Sequence, residues 1–291
     1  MSLVDALLIL LAGVGAGAMN AVVGAGTLIT FPTLLALGFP PVVANVSNTV
    51  GLVPGSAAAA YGFRATLKGR KRLVLQLVSA SAVGGVLGGA LLLVLPPETF
   101  EQVIPPLLLL SAVLAALQPR VSAWVLARRE RIAAESAGDP ASDDTAPADA
   151  PSSDLPAASV AAIEEPARDG PVAIRTSPIL YVIVFLTGIY GGYFGAAQGV
   201  ILLAVLGIFV AGGMPQVNGI KNVLAGVANL VSAILFIAIA EVDWRVVGLV
   251  AVGATVGGLL GSRFGRKLPA GPLRALVVAV ALFAAVWQWI S

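Results

Sequence analysis

The sequence predicts an all-α polytopic membrane protein, and three observations carry that prediction. The 291 residues are 58% hydrophobic and only 11% charged, whereas soluble domains carry roughly 25% charged residues. Mean hydropathy is +0.96. Apolar runs close to the ~20 residues that a bilayer crossing needs recur along the whole chain. A β-barrel would instead alternate apolar and polar residues over strands of ~10 residues.

Taken in order, the first run covers 4–23. It lacks a basic leader and continues too far for a cleavable signal peptide, so it is expected to stay in the mature chain. A shorter run, 28–38, follows it across a glycine break. Runs at 42–63, 73–95 and 104–117 complete a first half. After a polar interval come 179–194, a second short run at 200–211, and then 215–240, 246–262 and 272–290. At ~1.5 Å per residue the two short runs reach about half-way across a bilayer. They are expected to be half-helices or re-entrant segments shielded by protein.

The polar interval divides the chain into a membrane repeat at 1–131, a flexible acidic linker at 132–177 and a second repeat at 178–291. The linker holds nine acidic and two basic residues and is rich in Ala, Pro and Ser, too polar to bury a core. An offset of 173 superposes the halves: Asn45 falls on Asn218, Val50 on Val223, Gly84-Gly85 on Gly257-Gly258, and Gly88 on Gly261. Internal duplication of this sort is a common way to build a transporter.

Charge sets the expected orientation. Basic residues cluster at Arg64–Arg72, at Arg120–Arg131 and at Arg263, Arg266, Lys267 and Arg274. Four spans per half would make the repeats parallel and leave the last cluster outside, against the positive-inside rule. If each first segment is a glycine-broken hairpin followed by three transmembrane helices, the repeats are inverted. Every one of these clusters is then cytoplasmic. The inverted arrangement is therefore preferred, in the cell inner membrane, with the linker inside and both chain ends outside.

Chemistry is expected at the breaks, MNAVVGAGTLITFP (19–32) and YGGYFGAAQGVILL (190–203). Glycine lets the backbone leave helical geometry, and an interrupted helix offers unpaired N–H groups and a positive dipole end to an anion. The candidate ligands there are Asn20, Gly24, Gly26, Thr27, Gly195, Gln198 and Gly199. A polar stripe supplies more. Asn218 and Asn222, with Asn229 beyond them, share one helix face, and their offset equivalents Asn45, Thr49 and Ser56 share another. Asn48 falls opposite Lys221. A charge at mid-membrane costs at least ~2.5 kcal/mol, so Lys221 either pairs or binds substrate, or snorkels to the nearby helix start. The expected site is a single shell around Lys221, with Asn45, Asn48, Asn218, Asn222 and Thr49 as neutral neighbours. The glycines at 84, 85, 88 and 89, and at 257, 258 and 261, form small-xxx-small patterns expected to pack helix on helix.

Two stretches of the first half and second half, VVGAGTLITFPTLLALGFPPVVANVSNTVGLVPGS and GIYGGYFGAAQGVILLAVLG, followed by NGIKNVLAGVANLV and DWR, together resemble the sulfite exporter TauE/SafE family, the TSUP permeases. The resemblance covers both halves and omits the linker. It implies transport of small sulfur-containing anions such as sulfite, sulfonates or related organosulfur acids. Half one departs from the family in reading GAGT where members often carry more glycine. Half two has GAAQG, which puts Gln198 at the break.

An exporting permease is the simplest expectation, since the membrane potential favours outward anion movement by ~2.3 kcal/mol per charge per 100 mV. An anion channel and a non-transporting scaffold subunit are the alternatives. Cysteine and histidine are both absent, which excludes disulfides, thiolate chemistry, histidine relays and Cys/His zinc sites. No Ser-His pair, HExxH motif or intramembrane aspartate pair is present, so an enzyme is not expected. No cofactor or metal is implied. The expected partners are the sulfur anion and membrane lipid, without nucleic acid; homodimerisation is left open.

Overall fold

A computed structural model describes residues 1–137, 177–210, 213–264 and 279. The linker beyond Ala137 and the run at 272–290 lie outside the described residues, apart from residue 279. The described residues form helices without strands. The first half contains α1 (Leu3–Val22), α2 (Thr27–Ala36), α3 (Pro41–Gly62), a 3-10 turn (Arg64–Leu67), α4 (Lys71–Val94) and α5 (Pro97–Ala137). The second contains α6 (Pro178–Tyr193), α7 (Gln198–Phe209), α8 (Met214–Ile239) and α9 (Trp244–Phe264). Helix α5 runs on through 132–137, beyond the membrane-length apolar part that ends at Arg128.

Local signals explain the boundaries. Ser2 and Asp5 form a reciprocal capping box at the start of α1, satisfying two otherwise orphaned N–H groups. Proline sits in the first turn of α3, α6 and α8, where its missing N–H costs nothing. Gly38, at φ 82°, ends α2 in a left-handed turn closed by Phe39 N–H to Leu34 and Gly38 N–H to Leu35.

Among the described residues, five segments are long and apolar enough to cross a membrane: Leu3–Val22, Lys71–Val94, Pro97–Arg128, Met214–Ile239 and Trp244–Phe264. Helix α3 has the length, 22 residues, but buries Asn45, Ser47, Asn48, Thr49 and Ser56 among its neighbours. As the run lengths suggested, α2 and α7 are short, at 10 and 12 residues. Helix α2 folds back on α1: Gly26 lies against Ala16 and Asn20, and Gly15 against Ile29. The first segment of the first half is thus a hairpin.

The halves do not fold separately. Helix α1 packs on α9, and its counterpart α6 packs on α4. Helices α3 and α8 lie against each other and against α9 and α4 respectively. Both apolar cores accordingly mix residues of the two halves; one joins Phe31 and Phe100 to Phe194 and Val250, the other Leu77 to Leu203 and Leu224. Small residues bring the backbones together, as their spacing suggested: Gly84 lies against Gly188, Gly85 against Ala228, Gly257 against Val14 and Gly258 against Gly55.

These contacts also fix helix direction. Gly13 meets Val250 and Gly261 meets Ala21, so α1 and α9 run parallel. Gly51 meets Val250 and Gly62 meets Ser262, so α3 runs with them. By the same test α4, α6 and α8 run together: Ser81 donates to Leu224, Gly89 meets Ser232, and Gly192 meets Gly85. Gly226 lies against Ser56 but Gly219 against Phe63, so α3 and α8 are antiparallel. Arg64–Arg72, Arg128 and Arg263 consequently gather at one end of the bundle. Asp5, Glu98, Glu101, Glu241 and Asp243 gather at the other.

Candidate functional site

The two glycine breaks cross inside the bundle. The first helix of each half is closed by the same device: Val23 and Gly24 N–H donate to Met19 carbonyl, and Phe194 and Gly195 N–H donate to Tyr190 carbonyl. Gly24 and Gly195 are both left-handed there, at φ 85° and 75°. These equivalent turns are 171 residues apart, and the offset becomes 173 only beyond α7, which is two residues longer than α2. Past the turns the chains touch. Gly199 N–H donates to Gly24 carbonyl at 3.0 Å, and a Cβ on either glycine would run into the other's backbone.

A helix that ends inside a membrane leaves carbonyls without intrahelical partners. At the end of α1 they are taken by α8. Lys221 Nζ donates to Asn20 carbonyl at 3.1 Å and to Ala21 carbonyl at 3.2 Å, and Asn222 Nδ2 donates to Ala21 carbonyl at 3.1 Å. Lys221 is fully enclosed, at 0% exposure, and so does not snorkel. The negative end of the α1 dipole favours a cation at this place. Among the described residues no carboxylate pairs with the ammonium. Asn20 itself donates from Nδ2 to Ser56 Oγ of α3 at 3.3 Å.

At the end of α6 the caps come from the first half and from Tyr190 of α6 itself. Asn45 Nδ2 donates to Tyr193 carbonyl at 3.0 Å. Tyr190 Oη donates to Ala196 carbonyl, and Ser111 Oγ of α5 stands 2.7 Å from Tyr190 Oη and 3.1 Å from the same carbonyl. Asn48 Oδ1 accepts from Thr30 Oγ1 of α2. Phe31, Phe100, Tyr193 and Phe194 close over this end edge to face, with ring centroids from 5.2 to 6.5 Å apart.

The site residues expected from sequence therefore fall into two groups. Lys221, Asn222, Asn20, Gly24, Gly26, Thr27 and Gly199 come together around the α1–α2 break. Asn45, Asn48, Gly195 and Gln198 belong to the α6–α7 break, and Thr49 is buried nearby on α3. The α3–α8 register sets Asn48 about 20 Å from Lys221 along the bundle, at ~1.5 Å per residue. Asn218 joins neither group: it is half-buried and donates to Met214 carbonyl one turn back on its own helix. A single shell around Lys221 is not what the fold assembles, because α3 and α8 run in opposite directions and carry matching residues to opposite levels.

Ser111, Tyr190 and Thr30 were not expected among the site residues, and Ser56 only as a member of the polar stripe. Ser111 is an isolated hydroxyl in the run 104–117, and Tyr190 opens the second break; these are the sequence signals that point to them.

The unused hydrogen-bonding capacity is informative. The amides of Ala25, Gly26 and Thr27 have no partner among the described residues. Asn48 Nδ2 and Gln198 Nε2 are buried donors without acceptors, and Asn45 Oδ1 is a buried acceptor without a donor. A buried polar group left unpaired costs ~1–3 kcal/mol. At the α1–α2 break the three amides without partners and the enclosed cation of Lys221 suit an anionic guest.

Comparison with known proteins agrees with this setting. The chain is 24% identical over 273 residues to a probable membrane transporter protein, ORF9, of a Sinorhizobium species, covering 93% of this chain and 87% of that one. It is 22% identical over 266 residues to a probable membrane transporter protein of Haemophilus influenzae, covering 91% and 87%. No solved structure matches. The family model for the sulfite exporter TauE/SafE matches residues 9–287, and with nearly its whole length so matched this multi-pass inner-membrane chain belongs to the TauE/SafE family of membrane transporters.

Proposed function

We propose that the protein is a permease for small sulfur-containing anions, sulfite or organosulfonates, working as an exporter, and that the anion binds at the α1–α2 break beside Lys221. The observation that carries this reading is the enclosure of Lys221 with two carbonyl acceptors and, among the described residues, no carboxylate. A buried cation without an anionic partner is costly, and an arriving anion offsets that cost. The free amides at Ala25, Gly26 and Thr27 add neutral donors at the start of α2, where the helix dipole is positive. One cation with neutral donors also leaves the anion free to depart, which several fixed charges in a low-dielectric site would prevent.

The opposed directions of α3 and α8, and the gathering of basic residues at one end, support inverted repeats with that end cytoplasmic. Inversion gives each break an equivalent on the other side, the arrangement alternating access uses. The family name and the names of the relatives support transport. The family description names sulfite, and the test is flux into or out of liposomes holding the purified full-length chain. Sulfite, taurine-like sulfonates, sulfate and chloride are offered in turn. Uptake or release of a sulfur oxyanion well above chloride supports the reading. Equal conductance of chloride and sulfite would make it a channel, and no anion flux at all would make it a scaffold.

A further inference from the structure

The basic end of the bundle carries a cavity that transport does not explain. It has a volume of about 350 Å³ and lies between the 3-10 turn and the start of α4, lined by Arg64, Lys68 and Lys71 with Leu67, Val74 and Leu75. Arg64 is held in place: its Nη1 donates to Tyr61 carbonyl at 3.1 Å, and its guanidinium lies 4.0 Å over the Tyr61 ring. Its remaining N–H groups keep their fork. None of the three cations meets a carboxylate among the described residues. The wall of the cavity is almost wholly apolar, the basic residues lining it mainly with their stems, and it continues outward as a track, since Leu75, Val83, Leu87 and Leu91 lie exposed along α4, Leu75 at 68%.

We propose that this cavity is a binding site for an anionic phospholipid of the cytoplasmic leaflet. The phosphate is taken by Arg64, Lys68 and Lys71, and an acyl chain follows the exposed face of α4. A fork of guanidinium N–H groups matches phosphate oxygens two at a time, and lysines add point charge. Basic pockets beside membrane helices on the cytoplasmic side hold such headgroups. A free anion would use the three cations but not the apolar track. An acidic peptide, such as the chain's own linker, would likewise leave the track unused.

The test uses the full chain in detergent, with retention of phosphatidylglycerol against phosphatidylcholine read by native mass spectrometry. The parent is expected to prefer phosphatidylglycerol by about tenfold or more. Replacing Arg64, Lys68 and Lys71 together by Gln should abolish the preference, while Arg128→Gln and Arg263→Gln at the same end should leave it. Since removing cations can disturb insertion, Leu75→Gln provides a second arm: it keeps every charge and should still weaken phosphatidylglycerol several-fold. Unchanged preference in both variants overturns the proposal. So does displacement of the lipid by millimolar inorganic phosphate, which would make the site one for free anions. Tighter lipid binding after removal of residues 138–168 would instead make the linker the natural occupant, and overturns it too.

Discussion

Gly199 N–H donates to the carbonyl of Gly24 over 3.0 Å, so the two broken hairpins of the transporter are joined backbone to backbone. No side chain separates them. Two structural demands coincide at Gly24: a left-handed turn at φ 85° and a neighbour with no room for a Cβ.

Those demands can be separated by a pair of substitutions. Gly38 shares the left-handed geometry, at φ 82°, but an added Cβ there meets nothing within 4 Å. Gly38→Ala should therefore cost only the conformational penalty, ~1–2 kcal/mol. Gly24→Ala pays that and must also part the hairpins. Thermal unfolding in detergent should show a loss for Gly24→Ala at least twice that for Gly38→Ala. Equal losses would mean that the crossing is loose.

Asn45 and Asn218 are equivalent in sequence yet not in surroundings. Asn45 is fully buried and satisfies the Tyr193 carbonyl, whereas Asn218 is half-buried and bonds within its own helix. Asn45→Ala leaves an orphan carbonyl in a dry interior and should cost ~1–3 kcal/mol. Asn218→Ala removes a local bond and a buried oxygen without a partner, and should stay within ~0.5 kcal/mol. Comparable losses in the two variants would contradict the asymmetry.

This pair also indicates how much was legible in the sequence. Helix positions, the break at each first segment and the small-residue packing faces follow from composition and spacing, which report local geometry. The partners of the polar residues do not. Asn48 and Lys221 share a place in the repeat, and sequence alone suggested one shell; the antiparallel α3 and α8 send them to different levels. Nor could spacing reveal that the half-two caps close the half-one break, because that depends on α1 docking across the halves onto α9. Ser111 belongs to the same class, since its role comes from α5 reaching the Ala196 carbonyl 85 residues away.

Sidedness is open to direct measurement because the chain has no cysteine background. Ser2→Cys and Glu98→Cys lie at the acidic end and should react with a membrane-impermeant maleimide on intact cells. Arg128→Cys, at the basic end, should react only after permeabilisation. The opposite pattern would turn the molecule over and move the proposed headgroup site to the outer leaflet.

The acidic stretch 138–168 lies outside the described residues, and its composition argues for a tether. Its deletion should leave anion flux in liposomes within about twofold of the parent, a change too small to exceed ~0.4 kcal/mol. Loss of flux in a deletion variant that still inserts and melts normally would give the linker a role in transport.

Lys221 has two roles to disentangle, as the cap of α1 and as the positive charge for an anion. Lys221→Met keeps most of the stem and removes both functions; Lys221→Arg keeps the charge and the donors but changes their shape. If the residue only caps, Met should lower the melting temperature and leave anion affinity, measured on the folded fraction, unchanged. If it also faces the substrate, affinity should fall by about tenfold or more, ~1.4 kcal/mol, with Arg intermediate. The loss should be larger for a divalent than for a monovalent sulfur anion, since the missing Coulomb attraction scales with the guest's charge. A neutral-ligand control would not show that dependence. Met protein that melts lower yet binds sulfite as tightly as the parent would leave Lys221 as a helix cap and move the anion site elsewhere, with the unpaired donors of Asn48 and Gln198 at the other break as the next place to test.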